Sequence, residues 1–135
     1  MARTLKSRRS FGFTLLEMMI VIIIMGILLS IAIPIYSQSI MRARESVLRN
    51  DLAELNKLVQ QYTLDKQKAP QSLEDLVSAG YIHQVPKDPM TGETNWDTPQ
   101  CEVLDSIDQQ DPGICQVHSA STAMSTEGTA YNTWE

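Results

Sequence analysis

Glu17 stands at the edge of a long apolar stretch, and its position makes ion pairing the first chemistry to consider. From Met18 through Met41 the sequence has no charged side chain. An apolar run of about 20 residues is long enough to span a bilayer as a helix. A carboxylate beside such a run is costly to desolvate and marks a functional site by default. We therefore predict a functional role for Glu17; the alternative is a carboxylate that only reaches the lipid headgroups.

The residues just before Glu17 form a short motif. A basic leader, residues 1–12, ends at Gly12, and Phe13 follows it. The run Gly-Phe-Thr-Leu-Leu-Glu before an unbroken apolar helix resembles the N-terminal signal of type IV pilins and type II secretion pseudopilins. The resemblance implies that a prepilin peptidase cuts between Gly12 and Phe13. It also implies that the new N-terminal residue, Phe13, is N-methylated.

Cleavage after Gly12 would give Phe13 a free ammonium group. Opposite charges attract far more strongly in lipid than in water, and an unpaired buried charge is heavily penalised. We predict that Glu17 of one subunit pairs with the Phe13 ammonium of a neighbour. Such pairing would favour one axial offset between the subunits of a filament.

One long helix is predicted from Phe13 to about Leu64. Pro34 lacks the N–H that would bond the Ser30 carbonyl, so a kink or a loosened turn is expected there. Gly26 and Ser30 lie four residues apart, a spacing of small residues that lets membrane helices approach closely.

The second half of this helix is amphipathic. Its apolar residues recur at spacings of four and three and predict a core-facing stripe: Leu48, Leu52, Leu55, Val59 and Tyr62. The charged residues are assigned to other, mostly solvated faces: Arg42, Arg44, Glu45, Arg49, Asp51, Glu54 and Lys57.

A second, short helix is predicted over residues 72–79. Ser72 and Asp75 have capping-box spacing, and Gly80 suits the C-terminal cap. Beyond it, short antiparallel strands are predicted at Glu93–Asp97, Cys101–Leu104 and Ala130–Trp134. Trp96 and Trp134 are the expected core anchors of this region.

Residues 69–97 carry a second resemblance, to the central region of the major pseudopilin, protein G, of type II secretion systems. A Pro-Lys-Asp-Pro turn at residues 86–89 carries the likeness, with Gly92 and Trp96 after it. The resemblance implies an α+β, pilin-like fold in which a long N-terminal helix packs against a small antiparallel β-sheet.

Three segments follow from these predictions. Residues 1–12 form the removable leader, residues 13–41 the transmembrane and assembly half of the helix, and residues 42–135 a globular domain. The resemblance implies a single-pass protein of the bacterial inner membrane, with a cytoplasmic N-terminus and a periplasmic C-terminal domain.

Cys101 and Cys115 both belong to the domain assigned to the periplasm, which is an oxidising compartment. A disulfide closing this loop of about 15 residues would add roughly 3 kcal/mol of stability in the chain-entropy model. We predict this disulfide; the alternative is two unpaired thiols in an acidic loop.

No catalytic constellation is evident, and we predict that the protein is not an enzyme. His83 and His118 have no partners at catalytic or metal-binding spacing. Without the leader the chain has seven basic and sixteen acidic residues, a net charge of −9. This acidity argues against nonspecific nucleic-acid binding.

Calcium is the one ion to weigh, because protein G pseudopilins commonly hold it in their C-terminal loop. The corresponding loop, roughly Ser119–Tyr131, has only Glu127 as an acid. Calcium takes six to eight oxygen ligands, usually including several carboxylates. We therefore predict no cofactor, with calcium as the alternative. Three acids of another loop are further candidate ligands: Asp105, Asp108 and Asp111.

The resemblance implies a structural subunit of a type II secretion pseudopilus that drives the export of folded proteins. Its implied partners are copies of itself, other pseudopilins, an inner-membrane assembly platform, the prepilin peptidase and methylase, and membrane lipid. One alternative is a type IV pilin for adhesion, motility or DNA uptake. Another is a signal-anchored periplasmic hydrolase or binding protein.

Overall fold

The computed structural model describes residues 11–101 and 112–135. Its elements, in chain order, are helix α1 (Phe11–Lys66), helix α2 (Leu73–Ser78), strands β1 (Gln100–Cys101) and β2 (Gly113–Ile114), and a 3₁₀ turn (Tyr131–Thr133). Most of the leader and the acidic loop with Asp105, Asp108 and Asp111 lie outside the described residues. The chain divides into two compact units, the first ending at Ser39 and the second beginning at Ile40.

The α1 helix is 56 residues long and includes Pro34 within its helical span. It begins and ends two residues beyond the predicted limits. Its end has a local cause, since Gln67 adopts a positive φ of 55° and its side-chain amide donates to the Leu64 carbonyl at 2.7 Å. Pro70 follows shortly afterwards and cannot continue a helix.

The first unit consists of apolar helix with its side chains exposed. Every described side chain from residue 14 to residue 39 is exposed. This part of α1 is long and apolar enough to cross a membrane, and none of its most apolar window is buried within the chain. An exposed apolar surface of this size requires a partner, either lipid or other protein.

The second unit has one core, built on the predicted stripe of α1. All five stripe residues are buried, which confirms the prediction: Leu48, Leu52, Leu55, Val59 and Tyr62. Later parts of the chain complete the core with Leu73, Leu76, Trp96, Ile114, Val117 and Tyr131. Each fully buried aliphatic side chain contributes about 1.5–3 kcal/mol by its removal from water.

The α2 helix has the predicted caps. The Asp75 carboxylate accepts hydrogen bonds from the backbone N–H groups of Gln71 at 2.7 Å and Ser72 at 3.2 Å. At the other end Gly80 has φ +83°. The Tyr81 N–H donates to the Leu76 carbonyl, and the Gly80 N–H donates to the Val77 carbonyl. These two bonds form a Schellman motif, which orients the chain back toward the core.

The sheet is antiparallel, as predicted, but two of the predicted strands are wrong. β1 pairs with β2, with Gln100 opposite Ile114 and Cys101 opposite Gly113. Of Glu93–Asp97, only Asp97 makes a bridge, to His118. Ala130 bridges Met124, but the following residues turn into the 3₁₀ helix instead of a strand. Of the predicted strand Cys101–Leu104, residues 102–104 lie outside the described residues, and Cys101 belongs to β1.

In the chain after α2, hydrogen bonds to a helix side chain and to loop carbonyls take the place of some strand pairing. The Asn56 side chain on α1 accepts from the Val117 N–H at 2.7 Å and donates to the Val117 carbonyl at 3.2 Å. The Ile114 N–H bonds the Pro70 carbonyl at 2.8 Å. The Trp96 indole N–H donates to the Pro86 carbonyl at 2.8 Å. The backbone groups of Val117 and the N–H of Ile114 are thus bonded to a helix side chain and to a loop carbonyl.

Candidate functional site

The N-terminal motif lies at the beginning of α1. Gly12 and Phe13 are helical in the structure, and their side-chain surroundings lie outside the description. Glu17 is exposed and forms no salt bridge with any other described residue. Since Thr14, Leu15 and Leu16 are also exposed, the first turns of α1 present a carboxylate on an apolar surface. The pairing of Glu17 with a neighbouring subunit's ammonium stays a prediction.

The small residues farther along α1 leave room for another helix. A Cβ atom built on Gly26 meets no other atom within 4 Å. The Ser30 hydroxyl satisfies itself locally by donating to the Ile27 carbonyl at 2.7 Å. A helix face that carries Gly26 and Ser30 can therefore approach a second helix closely without stranding a polar group.

Pro34 lies inside α1, with helical backbone on both sides. The Ser37 hydroxyl donates to the Pro34 carbonyl at 2.9 Å, and the Ser39 hydroxyl donates to the Ile35 carbonyl at 2.9 Å. Side chains thus supply hydrogen bonds to carbonyls around the position where proline removes a backbone donor. The predicted kink or loosened turn stays a prediction.

The structure joins Cys101 and Cys115 through a disulfide, with their Cα atoms 5.8 Å apart. Cys101 belongs to β1, and Cys115 comes directly after β2. The covalent bond therefore links the two strands next to the Cys101–Gly113 pairing.

Glu45 differs most from its predicted environment. It was assigned to a solvated face of α1, and this assignment is wrong, because only 6% of Glu45 is exposed. Its carboxylate accepts hydrogen bonds from the Thr126 N–H at 2.7 Å, the Thr126 hydroxyl at 2.6 Å and the Tyr131 hydroxyl at 2.9 Å. Glu45 thus ties the C-terminal loop to α1.

The electrostatic balance at Glu45 favours the ionised carboxylate. Burial by itself raises the pKa of Glu45. The hydrogen bonds from Thr126 and Tyr131, with the nearby Arg49 charge, outweigh burial and lower the pKa below its ordinary value. Burial and the bond to the carboxylate correspondingly raise the pKa of Tyr131.

Arg49, one turn farther along α1, makes a second connection to the same region. Its guanidinium pairs with the Glu127 carboxylate at 2.6 Å and lies 4.4 Å from the centre of the Trp134 ring. Both partners of the ion pair are more than half exposed, so the pair itself adds little stability. Trp134 is half-buried against the core rather than at its centre.

Asp88, in the Pro-Lys-Asp-Pro turn, is a second buried carboxylate that the sequence did not single out. Its exposure is 0%, and so is that of Ser119. One carboxylate oxygen accepts from the Met90 N–H at 2.7 Å, and the other accepts from the Ser119 hydroxyl at 2.5 Å. The turn is thereby fastened to the beginning of the C-terminal loop.

The two histidines occupy unrelated places. His83 is exposed and lines a groove with Asp51 and Glu54. Burial, with the charges of Glu54 and Asp88, raises the pKa of Asp51. His118 bonds the Trp134 carbonyl through Nδ1 at 2.8 Å. Within residues 11–101 and 112–135, no three His, Cys, Asp or Glu side chains are grouped as metal ligands.

These observations define a class of protein: a membrane-anchored, prepilin-type chain whose α1 helix begins at the processing motif and continues into a small α+β domain. Residues 7–33 match the family model described as the prokaryotic N-terminal methylation motif. No solved structure matches the chain.

Curated relatives identify the family. The chain is 36% identical over 98 residues to the type II secretion system core protein G of Klebsiella pneumoniae, covering 61% of this chain and 70% of that protein. It is 34% identical over 101 residues to the core protein G of Aeromonas hydrophila, covering 63% of this chain and 71% of that protein. The type IV major fimbrial protein FimA of Dichelobacter nodosus is 41% identical over 58 residues, which are 43% of this chain and 36% of that protein. The chain belongs to the family of type II secretion system core protein G.

Proposed function

We propose that this protein is a structural subunit of a type II secretion pseudopilus, assembled from the inner membrane to drive the export of folded proteins. The observation that carries the proposal is the extent of its similarity to core protein G, which covers more than 60% of this chain. The similarity to FimA covers 43% of it. A resemblance confined to the N-terminal motif would not separate a pseudopilin from a type IV pilin.

The first step of the proposed function is processing. A prepilin peptidase cuts between Gly12 and Phe13, and a methyl group is added to the new amino terminus. Glycine has no Cβ, so an enzyme can approach the backbone closely at Gly12. The match of residues 7–33 to the methylation motif supports this step.

The second step is the transfer of α1 from lipid into a filament. Its exposed apolar surface between residues 14 and 39 is covered by lipid before assembly and by neighbouring helices after it. Glu17 pairs with the Phe13 ammonium of a neighbour, and the open surface at Gly26 admits a close helix contact. The proline at position 34 loosens the helix so that subunits can adjust to each other.

The globular domain, residues 42–135, faces the periplasm in this proposal. Its disulfide suits an oxidising compartment outside the cytoplasm. An assembly platform with its ATPase supplies the work, and the growing filament moves exoproteins toward an outer-membrane channel. The role is structural, and no step requires catalysis by this chain.

Deletion of the gene tests the proposal directly. We expect a loss of exoprotein from the culture medium, its accumulation in the periplasm, and recovery when the wild-type gene is returned. Intact secretion together with lost surface fibres would instead identify a type IV pilin. A Gly12→Leu variant, which blocks the cut, should fail to restore secretion while the precursor accumulates in membranes.

A further inference from the structure

The C-terminal loop, Ser119–Tyr131, is organised around a carboxylate that it does not itself supply. Three donors converge on Glu45 of α1: the Thr126 N–H, the Thr126 hydroxyl and the Tyr131 hydroxyl, at 2.6–2.9 Å. A metal ion would gather oxygen lone pairs. The groups that converge here are N–H and O–H donors, so the centre of this loop has the polarity of an anion site.

Several of the loop's own oxygen atoms already take part in hydrogen bonds or in an ion pair. The Glu127 carboxylate pairs with Arg49, and the Ser119 hydroxyl donates to the buried Asp88. The Ser125 hydroxyl oxygen accepts from the backbone of Glu127 and Thr129, both at 3.2 Å. Backbone carbonyls of the loop are also bonded, those of Ala123, Ser125, Thr129 and Ala130 among them. An incoming divalent cation would have to compete with these contacts, above all with the Arg49–Glu127 ion pair, for its ligands.

Positive charge is also present beside the loop. Arg42 and Arg49 line one groove of about 350 Å³ together with Glu45, Thr126 and Glu127. Each carboxylate that faces this groove therefore has a guanidinium nearby. With two guanidinium groups and two carboxylates among its lining residues, the groove has no net negative charge to attract a further cation.

We propose that the Glu45 carboxylate replaces a divalent cation as the organising charge of this loop, so that the loop folds onto α1 without metal. Family resemblance implies calcium in this loop, and the residues present do not fit that ion. This inference concerns the folding of the domain and does not rest on the pseudopilus assignment, so each can fail without the other.

Thermal unfolding can be measured with the calcium ion and the Glu45 carboxylate varied separately. Full-length protein in detergent micelles is melted in calcium chloride and in chelator, with Asp105, Asp108 and Asp111 replaced by Asn so that the other candidate calcium loop is removed. In this background, called wild type below, the Glu45→Gln and Glu54→Gln variants are compared. Glu54 is an exposed carboxylate on the same helix and provides the matched control. We expect the wild-type Tm to be the same in both buffers, and Glu45→Gln to lower the Tm by about 5 °C or more, with Glu54→Gln close to wild type. Titration with calcium chloride in a calorimeter should give no binding heat.

A pH series separates a charged centre from ordinary packing. The groups facing Glu45 are Arg42 and Arg49 of α1, Glu127 of the loop and Tyr131 of the 3₁₀ turn. Because the pKa of Glu45 is lowered in the folded chain, its ionised form stabilises the fold above the unfolded pKa, and this contribution is lost as the pH falls through the folded pKa. The Tm difference between wild type and Glu45→Gln should therefore be largest near neutral pH and should close in acid.

Several results would overturn the proposal: a fall in the wild-type Tm in chelator, measurable calcium binding, or equal Tm values for Glu45→Gln and Glu54→Gln. If Glu45→Gln does not fold, Thr126→Val and Tyr131→Phe each remove one donor while the carboxylate remains. Each should then lower the Tm by a few degrees in both buffers alike, and wild-type values for both would contradict the role of Glu45.

Discussion

At the scale of single residues, two buried carboxylates hold the globular domain together. Asp88 fastens the Pro-Lys-Asp-Pro turn to the C-terminal loop, and Glu45 fastens the same loop to α1. Carboxylates are rarely buried unless their oxygens are satisfied. Each of these two accepts hydrogen bonds on both oxygens, which explains why a small core can contain them.

Replacing Asp88 by Ala should lower the free energy of unfolding by about 2–4 kcal/mol, because it strands the Met90 N–H and the Ser119 hydroxyl in a buried site. Urea unfolding of the full chain in detergent measures this loss. Asp97→Ala is the control, since Asp97 is exposed and bridges His118 through its backbone alone, and it should change the stability by about 0.5 kcal/mol or less. Equal losses in both variants would contradict the role assigned to Asp88.

The burial of Glu45 could have been predicted from its spacing in the sequence, although its charge argued for an exposed position. Glu45 precedes Leu48 by three residues and Leu52 by seven, so it continues the same face of α1 as the buried stripe. A charged residue on the buried face of a helix is as consistent with a hydrogen-bonding partner in the core as with a side chain that reaches solvent. Asp88 offered no such signal, because it lies in an irregular turn whose partner, Ser119, is 31 residues away.

At the scale of elements, the helices follow from the sequence and the strands do not. Periodic apolar residues, Ser72, Asp75 and Gly80 predict the helices, since helical hydrogen bonds and caps are local. Among the described residues the sheet has two pairs in its register, and partners such as Asn56 and Val117 come from distant parts of the chain. No local pattern specifies where these pairings begin, so two of the predicted strands were wrong and β2 was missed.

Gly80 ends α2 at a positive φ of 83°. Gly80→Ala should lower the free energy of unfolding by about 1 kcal/mol, because a Cβ disfavours this conformation although it meets no atom within 4 Å. Gly80→Asn should cost less, since asparagine tolerates the left-handed region better. Thermal melts of both variants give the ranking, and a more stable Gly80→Ala variant would refute the Schellman cap.

The disulfide links β1 to Cys115, the residue directly after β2. Its cysteines are 14 residues apart, and closing a loop of that size is worth about 3 kcal/mol in the chain-entropy model. A Cys101→Ser, Cys115→Ser double variant should therefore lose a stability of this order, and reducing agent should destabilise the wild type but leave the variant unchanged. A thiol titration of the unfolded, unreduced chain that finds two free thiols would contradict the bond.

At the scale of the whole molecule, an exposed apolar half of α1 is joined in one chain to a domain with its own core. The first has every described side chain exposed from residue 14 to residue 39, and the second buries its stripe almost completely. The first unit therefore requires lipid or other apolar helices around it, whereas the second unit can be surrounded by water. The fold class and the family were predictable from sequence because the helix and its motif indicate a pilin-like chain and residues 69–97 resemble protein G.

Glu17 is expected to act only when subunits assemble. Glu17→Gln should leave processing intact and sharply reduce the amount of subunit recovered in sheared or crosslinked filaments, because the neutral amide cannot neutralise a neighbour's ammonium. Glu17→Asp, which keeps the charge, should retain part of the assembly. Normal filament recovery with Glu17→Gln would show that the carboxylate has no role in register.

The most direct test of the account is the intact mass of the protein purified from native membranes. The account predicts a chain that begins at Phe13 and carries one additional methyl group, which would establish that the motif is cut and modified as a pseudopilin's is. A chain that still begins at Met1, in cells whose prepilin peptidase processes other substrates, would contradict it and leave a signal-anchored domain outside any filament.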